Sequence, residues 1–574
     1  ASAPHPVTAM SFLKLPIEIL QQVISLVGPE TFEDAALACK QIYNASGPFL
    51  KEHNALRKRF RYFQYSGRDD SSEGSVSSEQ GAAEPGTLDE DENVNKSRGN
   101  DQAGEGQDDI EIHSVLELLQ YIARHPVAAR YMISADLSHD SLGESKYDAE
   151  EAEKPLIKGD TSGLLRLLQD SPYLNKRGYD AYKWLEAMQQ TADGHADVFL
   201  LTLLPNVEEL VISGRMADAS YSNRNVNDEE DGEDEIAASP ILQCRSILED
   251  IVDEANKYPQ SNSALSRLRV VQNDERGEDD YDEKHNLTAV SSLLAIGSVC
   301  KFYGASFVAM EDGYTGVEFH PRYKRLSPNL EENVLECSIL GAMSASKLFS
   351  GIDSLRVFRL SWSVKYHGCG FNWDTGAMLH SLEQAAGDTL EVLSIHDTGR
   401  TNMTGAVPVT MKGFRRLRVF EADFKFLCEE PFDRARQPEE LEDDTEPGNY
   451  HREVLDTRHE KVAPFVDFLP ETIERIFFSV GSLCNIAQED VSFLFDRMHE
   501  ERATKLPQLK DISFVLPNPR AVQLSGYHPI SASELPGVSE QTKARDTLVE
   551  LITSCGGRVK TQDWWRPGKD WMNA

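Results

Sequence analysis

The hexapeptide LRVFRL, Leu355–Leu360, has apolar residues at its first, fourth and sixth positions. The two-residue spacing at its end is that of a short strand with one buried face. The same pattern recurs at Val207–Ile212, Leu265–Val270, Leu390–Ile395, Leu417–Ala422, Ile473–Phe478 and Leu509–Phe514, and in weaker form at Tyr131–Leu137 and Val334–Ile339. These copies predict a series of short, similar strands spread over most of the chain.

Segments with helical periodicity, such as 178–191 and 376–386, separate the copies. An apolar turn that feeds a short strand, followed by a helix, is the repeating unit of a leucine-rich-repeat solenoid. Regular repeats place Asn or Cys three positions after the last apolar residue, but Ser363 and Thr398 stand there in two copies. The sequence therefore predicts an irregular α/β solenoid over 113–574. An ordinary α/β domain with strands of the same local pattern is the alternative.

Acidic residues are concentrated in four stretches. The chain of 574 residues has 58 Lys and Arg against 95 Asp and Glu, a net charge of −37. The stretches 69–111, 218–235, 274–283 and 429–446 contain 38 acidic and 6 basic residues, so the rest is nearly neutral. A chain this acidic is repelled by phosphate backbones and anionic lipid, which argues against nucleic-acid and membrane partners.

The longest acidic stretch divides the chain. Residues 69–111 have almost no large apolar side chain, so we expect disorder there, because the segment cannot offset its ordering entropy. The predicted organisation is a helical unit over 10–66, an acidic disordered linker over 67–112 and the repeat domain over 113–574. The other three acidic stretches are predicted to be loops of that domain. Such a linker lets its two neighbours move relative to each other unless helix packing ties them.

The N-terminal unit is predicted to contain three short helices. Pro16 suits the first turn of a helix, and the pair Gly28-Pro29 ends it. Thr31 is a plausible cap for a second helix, and Pro48 is predicted to open a third that runs to Tyr65.

The first helix has an unusually wide apolar face. Seven apolar side chains fill an arc of about 180° on the helical wheel: Ile17, Ile19, Leu20, Val23, Ile24, Leu26 and Val27. A helix that covers a small core needs a stripe only somewhat wider than about 100°. The surplus face indicates docking to a partner, and cover by the repeat domain is the alternative.

The N-terminal unit also carries a motif. Leu15–Leu20 reads LPIEIL, and Ile24, Ala36-Leu37, Cys39 and Ile42 follow. Because it begins with LPIEIL, the N-terminal unit resembles the F-box, a short helical domain that binds a Skp-family adaptor. The remainder is similar to the degenerate leucine-rich-repeat domain of fungal F-box proteins, most typically in the run Phe199–Leu210.

The resemblance implies a substrate-recognition subunit of a Skp–cullin–F-box ubiquitin ligase. The helical unit would bind the adaptor, and through it a cullin, while the repeat domain would bind a protein target. The implied adaptor contacts are Leu15, Pro16, Ile19, Leu20, Ile24, Leu37, Cys39 and Ile42. A scaffold protein of the same type that acts without ubiquitination is the alternative.

Candidate target-binding residues follow from the strand pattern. In a solenoid, strand positions between the buried ones face the outer, concave side. The candidate residues are Arg359, Ser361, Ser394, His396, Glu421 and Asp423. Their mixed polar character fits a protein partner, and a solvated surface is the alternative.

The sequence offers no recognisable catalytic, metal or cofactor site. It lacks GxSxG, Walker A, GxGxxG and HExxH motifs. Its eight cysteines are never closer than 32 residues, which argues against zinc ligation and for reduced thiols in the cytoplasm or nucleus. We also find no signal peptide and no apolar run long enough to span a membrane. We therefore expect a non-enzymatic protein, with an enzyme of unrecognised site as a further alternative.

Overall fold

The computed structural model describes residues 15–66, 111–138, 140, 160–190, 194–213, 216, 240–259, 261–273, 285–310, 318–362, 375–397, 410–427, 463–480, 488–517 and 538–562. The predicted loops 218–235, 274–283 and 429–446 and residues 67–110 of the predicted linker lie outside these ranges. Their disorder therefore stays a prediction.

Three helices open the described chain: α1 (Ile17–Ser25), α2 (Pro29–Leu37) and α3 (Lys40–Phe60). Pro16 and Gly28 are the residues directly before the first two helices. The predicted cap of the second helix is wrong, because α2 begins at Pro29 and Thr31 lies inside it. The predicted third start is wrong, because Pro48 lies inside α3. Continuous packing explains why α3 spans the proline, since Ala45, His53 and Phe60 are buried along its length.

Helices and strands alternate along the rest of the chain. The helices are α4 (Val115–Arg124), α5 (Ser162–Gln169), α6 (Pro172–Arg177), α7 (Ala181–Gln190), α8 (His195–Leu201), α9 (Pro240–Lys257), α10 (Leu287–Leu294), α11 (Ala342–Phe349), α12 (Thr375–Ala386), α13 (Phe465–Phe468), α14 (Gln488–Leu494), α15 (Met498–Lys505) and α16 (Val538–Ser554). Short 3-10 helices cover Ala128–Tyr131 and Phe424–Leu427.

The described strands are β1 (Tyr62–Gln64), β2 (Ser134–Asp136), β3 (Glu209–Ile212), β4 (Val270–Asn273), β5 (His285–Asn286), β6 (Lys301–Ala305), β7 (Phe307–Ala309), β8 (Glu332–Leu340), β9 (Val357–Trp362), β10 (Val392–Asp397), β11 (Val419–Asp423), β12 (Arg475–Ser479), β13 (Asp511–Pro517) and β14 (Arg558–Gln562). They form a 14-stranded sheet in which every neighbouring pair is parallel. The main path follows chain order, with β5 and β7 branching beside β8.

This sequential parallel order confirms the coarse prediction of an α/β fold and is that of a solenoid, in which each strand contacts the next one along the chain. The register also confirms the hexapeptide frame in the C-terminal half. Phe358 lies opposite Leu393, and Leu393 lies opposite Phe420. Ile476 and Ile512 continue the same row. Counted from the first apolar residue of each copy, position 4 therefore forms one buried row.

Two predicted copies are out of frame. Leu210 pairs with Val271, so the β4 copy begins at Leu268 and not at Leu265. Both leucines are buried, and their three-residue spacing satisfies either frame. Asn333 pairs with Phe358, so the β8 copy begins at Leu330 rather than Val334. The apolar pattern did not reveal this frame, because its position 4 is the polar residue Asn333.

Two copies of the pattern, and the last strand β14, were not predicted. Val299–Gly304 supplies β6, and Phe60–Tyr65 supplies β1, the first strand of the sheet. Phe60 and Phe63 belong to the main hydrophobic core, not to the small core of the helical unit. The solenoid therefore begins within the predicted N-terminal unit.

Charged residues at position 2, directly before the strands, form a row that crosses the sheet at the N-terminal ends of its strands. Its members alternate in sign: Glu331, Arg356, Glu391, Arg418, Glu474 and Lys510. Arg356 contacts Glu391 at 3.0 and 3.1 Å, and Arg418 contacts Glu474 at 2.6 Å. Backbone bonds follow the same row, since the Arg356 carbonyl accepts from the amides of Glu391 and Val392. These contacts join successive repeats.

Candidate functional site

The first helix buries only part of its apolar arc. Leu20 and Ile24 lie in the small core of the helical unit, where Leu20 is 0% exposed. Ile19, Val23 and Leu26 are exposed, and Leu26 is 84% exposed. Their spacing of four and three residues places them on one side of α1, so they form an exposed apolar ridge. The part of the repeat domain that the structure describes does not cover this ridge.

Exposed apolar side chains also occur on the next two helices. Leu37, at the end of α2, is 74% exposed, and Tyr43 in the first turn of α3 is also exposed. We call these residues, together with Ile17 and the ridge, the N-terminal apolar surface. Large apolar side chains left in water on adjacent helices are typical of a protein–protein interface.

The predicted adaptor contacts fall into three groups. Leu20 and Ile24 are buried in the small core that α1 shares with α2 and α3, so they are not accessible in this structure. Ile19, Leu37 and Pro16 are exposed, whereas the remaining three, Leu15, Cys39 and Ile42, are half-buried. Sequence reasoning omitted Val23, Leu26 and Tyr43 from this set. The wide wheel arc contained the first two, but periodicity does not tell which half of an arc the fold covers.

A polar and aromatic seam joins the helical unit to the first repeat. His53 of α3 is buried, its ring stacks on Phe32 at 4.3 Å, and its Nδ1 lies 2.8 Å from the Tyr131 hydroxyl. Arg130 contacts Glu30 of α2 at 2.6 Å. Together with β1, this seam is the packing that ties the two units, so α1–α3 are fixed to the end of the sheet.

Burial at the seam shifts two ionisation equilibria. Desolvation lowers the pKa of His53, because the charged imidazolium is disfavoured away from water. Burial, reinforced by the negative charges of Glu52 and Glu30, raises the pKa of Tyr131 to about 12. Both groups are therefore neutral at pH 7. Glu33 Oε1 lies 3.6 Å from His53 Nε2 on the opposite side of the ring.

The predicted target-binding residues lie together on the face of the sheet that carries positions 3, 5 and 7, which we call the outer face. Arg359 reaches across β10 and contacts Glu421 of β11 at 2.7 Å. Ser394 lies between them in register and is 0% exposed. Its hydroxyl has no hydrogen-bond partner in the described part of the chain.

Position 7 of the same strands carries a second polar group. His396 Nδ1 lies 3.4 Å from Asp423 Oδ1 and 3.4 Å from Ser479 Oγ, and the Ser479 hydroxyl donates to Asp423. Ser361 pairs with His396 in register and its Oγ accepts from the Cys337 amide at 3.4 Å. The structure thus brings the six predicted residues onto three adjacent strands, β9–β11, and adds Ser479 of β12 to them.

The expectation that these side chains face solvent is wrong. Ser361, Ser394 and His396 are essentially inaccessible, and Arg359 and Glu421 retain only 18% and 12% exposure of their side chains. Burial of Arg359, Glu421, Ser361 and His396 is tolerated because their polar groups pair with neighbouring strands. Val357, Val392 and Val419, at position 3 of the same strands, are half-buried.

The His396 group does not have the geometry of a nucleophilic triad. In such a triad, the hydroxyl and the carboxylate engage opposite nitrogens of the imidazole. Here Ser479 and Asp423 both approach Nδ1. Within the described ranges, no group of three or more His, Cys, Asp or Glu side chains is arranged to hold a metal ion.

Comparison with known proteins assigns no family. The chain matches no protein-family model, and no curated protein matches it. Among the helices that the structure describes, none combines the length and apolar character needed to cross a bilayer.

Proposed function

We propose that this protein is a non-enzymatic substrate receptor of a Skp–cullin–F-box ubiquitin ligase. Helices α1–α3 bind a Skp-family adaptor, and the outer face of the solenoid binds a protein target. The observation that carries the proposal is the exposed apolar ridge of Ile19, Val23 and Leu26 on a helix that begins with the LPIEIL motif.

Exposure of the ridge supports docking energetically. Fully burying one large aliphatic side chain contributes about 1.5–3 kcal/mol. The N-terminal apolar surface offers several such side chains, so a partner that covers it gains enough to offset the cost of association. Leu20 and Ile24 lie on the buried side of α1 and pack in the core formed with α2 and α3, which fixes the position of the ridge.

The proposed target face is centred on β9–β11. Its accessible part consists of Val357, Val392 and Val419 with the edges of Arg359 and Glu421. Buried residues such as Ser394 and His396 would position this surface rather than contact a large partner.

Capture by an affinity-tagged Skp adaptor tests the docking step. We expect full-length wild type to be retained and Val23→Asp and Leu26→Asp to be lost, because each places a charge on the ridge. Met343→Asp, at an apolar residue that is 60% exposed on α11, is the matched control and should be retained. Equal retention of all four proteins would contradict the docking assignment.

Target turnover distinguishes a receptor from a scaffold. If the protein is a receptor, its deletion should lengthen the half-life of its captured partner without changing that partner's synthesis, and wild type should restore turnover. Leu26→Asp should fail to restore it. An unchanged half-life would favour the scaffold.

A further inference from the structure

One residue at position 4 of the repeats differs in character from its neighbours in register. Position 4 is apolar in the neighbouring strands of the main sheet, and Asn333 of β8 stands between Phe302 and Phe358 in register. Asn333 is 0% exposed. Neither its amide nitrogen nor its amide oxygen has a hydrogen-bond partner in the described residues.

A buried amide without partners lowers the stability of the layer that contains it. It gives up its hydrogen bonds to water on folding and receives none in return. In a solenoid, stability is approximately a sum of terms for single repeats and for contacts between neighbours. The penalty therefore remains in the repeat Leu330–Leu335 and at its two contacts instead of being shared by the whole chain.

The backbone is irregular at the same place. A bulge interrupts the pairing of β8 with β9 between Leu335 and Ser338. Cys337 and Ser306 adopt left-handed backbone conformations, with φ of 45° and 59°. Residues other than glycine reach this region only at a cost, so the backbone adds to the penalty of the amide.

We propose that Asn333 makes the β8 repeat a weak layer at which the solenoid opens into two blocks, β1–β6 and β9–β14. The first block carries the N-terminal apolar surface, and the second carries Arg359 and Glu421. If the proposed function holds, this layer lets the target face tilt relative to the adaptor. The test below does not depend on that function.

Hydrogen exchange of the full chain, followed by mass spectrometry in subdenaturing urea, tests the weak layer. We expect the opening that lets wild-type amides of β8 exchange to cost less free energy than the opening of β3 or β12. The two blocks should unfold in separate steps. Asn333→Val removes the amide with little change in size. It should slow exchange in β8 by about tenfold or more, because it removes the free-energy cost of one buried amide that lacks hydrogen bonds.

Two further variants complete the test. Asn333→Leu, which adds volume, should slow exchange in β8 in the same direction. Leu393→Asn places the same amide at position 4 of β10 and should speed exchange there. The proposal is overturned if wild-type β8 exchanges no faster than β3 and β12. It is equally overturned if both substitutions of Asn333 speed exchange or prevent folding, because the amide would then be satisfied and stabilising.

Discussion

The backbone amide of Ser66 donates a hydrogen bond of 2.7 Å to the carbonyl oxygen of Ile112. His113 adds a second link, because its Nδ1 contacts the carbonyl oxygen of Ser66. The acidic segment between these residues therefore leaves and re-enters the fold at one point. A segment whose ends are bonded together does not act as a spacer between α1–α3 and the repeats.

Removal of the acidic segment should leave the fold intact. We expect replacement of residues 67–110 by four Gly and Ser residues to stabilise the protein by about 1–2 kcal/mol, because a shorter loop costs less closure entropy. Thermal and urea unfolding measure this change. A scrambled segment of the same composition is the control and should match wild type. Loss of the folded state on shortening would show that the segment contributes packing.

The protein should lose stability on mild acidification through His53. Its pKa is lowered in the folded state, so between that value and about 6.5 the unfolded chain binds more protons. Stability contributed by the neutral ring is present above this window and falls with decreasing pH, by at most about 1.4 kcal/mol per pH unit.

Urea unfolding of wild type and His53→Gln between pH 7.5 and 5 isolates this effect, since Gln can still bond the Tyr131 hydroxyl but does not titrate. Glu33, Glu30 and Glu52 surround the seam and are common to both proteins. The stability of wild type should fall more steeply below pH 6.5 than that of the variant. Parallel curves would exclude His53 as the titrating group.

The buried ion pair of the outer face should contribute more to stability than an exposed pair on the same sheet. Glu421→Gln removes the carboxylate charge that pairs with the nearly buried guanidinium of Arg359, and we expect a loss of about 2–3 kcal/mol. Glu391→Gln breaks the exposed contact with Arg356 and should cost at most about 1 kcal/mol. Urea unfolding of both variants measures the difference. Equal losses would contradict the burial of Arg359.

Periodicity predicted the C-terminal half of the sheet well. The copies that begin at Leu355, Leu390 and Leu417 lie in the observed register, because each apolar position coincides with one inward-facing side chain. The pattern failed where two frames fit equally, at Leu265 and Leu268, and where Asn333 put an amide in the core. Local spacing does not distinguish such cases, since neighbouring strands select the frame.

The functional surfaces were harder to predict. The width of the α1 arc indicated a surplus apolar face, but α2 and α3 decide that Leu20 is covered and Val23 is not. Alternation placed Arg359 and His396 on the outer face correctly. Their burial depends on pairing across strands that are distant in sequence, such as the contact of Arg359 with Glu421.

We propose above all that α1–α3 bind a Skp-family adaptor through the N-terminal apolar surface. Calorimetric titration of the full chain with a purified adaptor tests it most directly. We predict micromolar or tighter binding for wild type, and for Leu37→Asp a loss of about 30-fold or more at an unchanged unfolding temperature. No binding by wild type, or equal affinity of the two proteins, would contradict the claim.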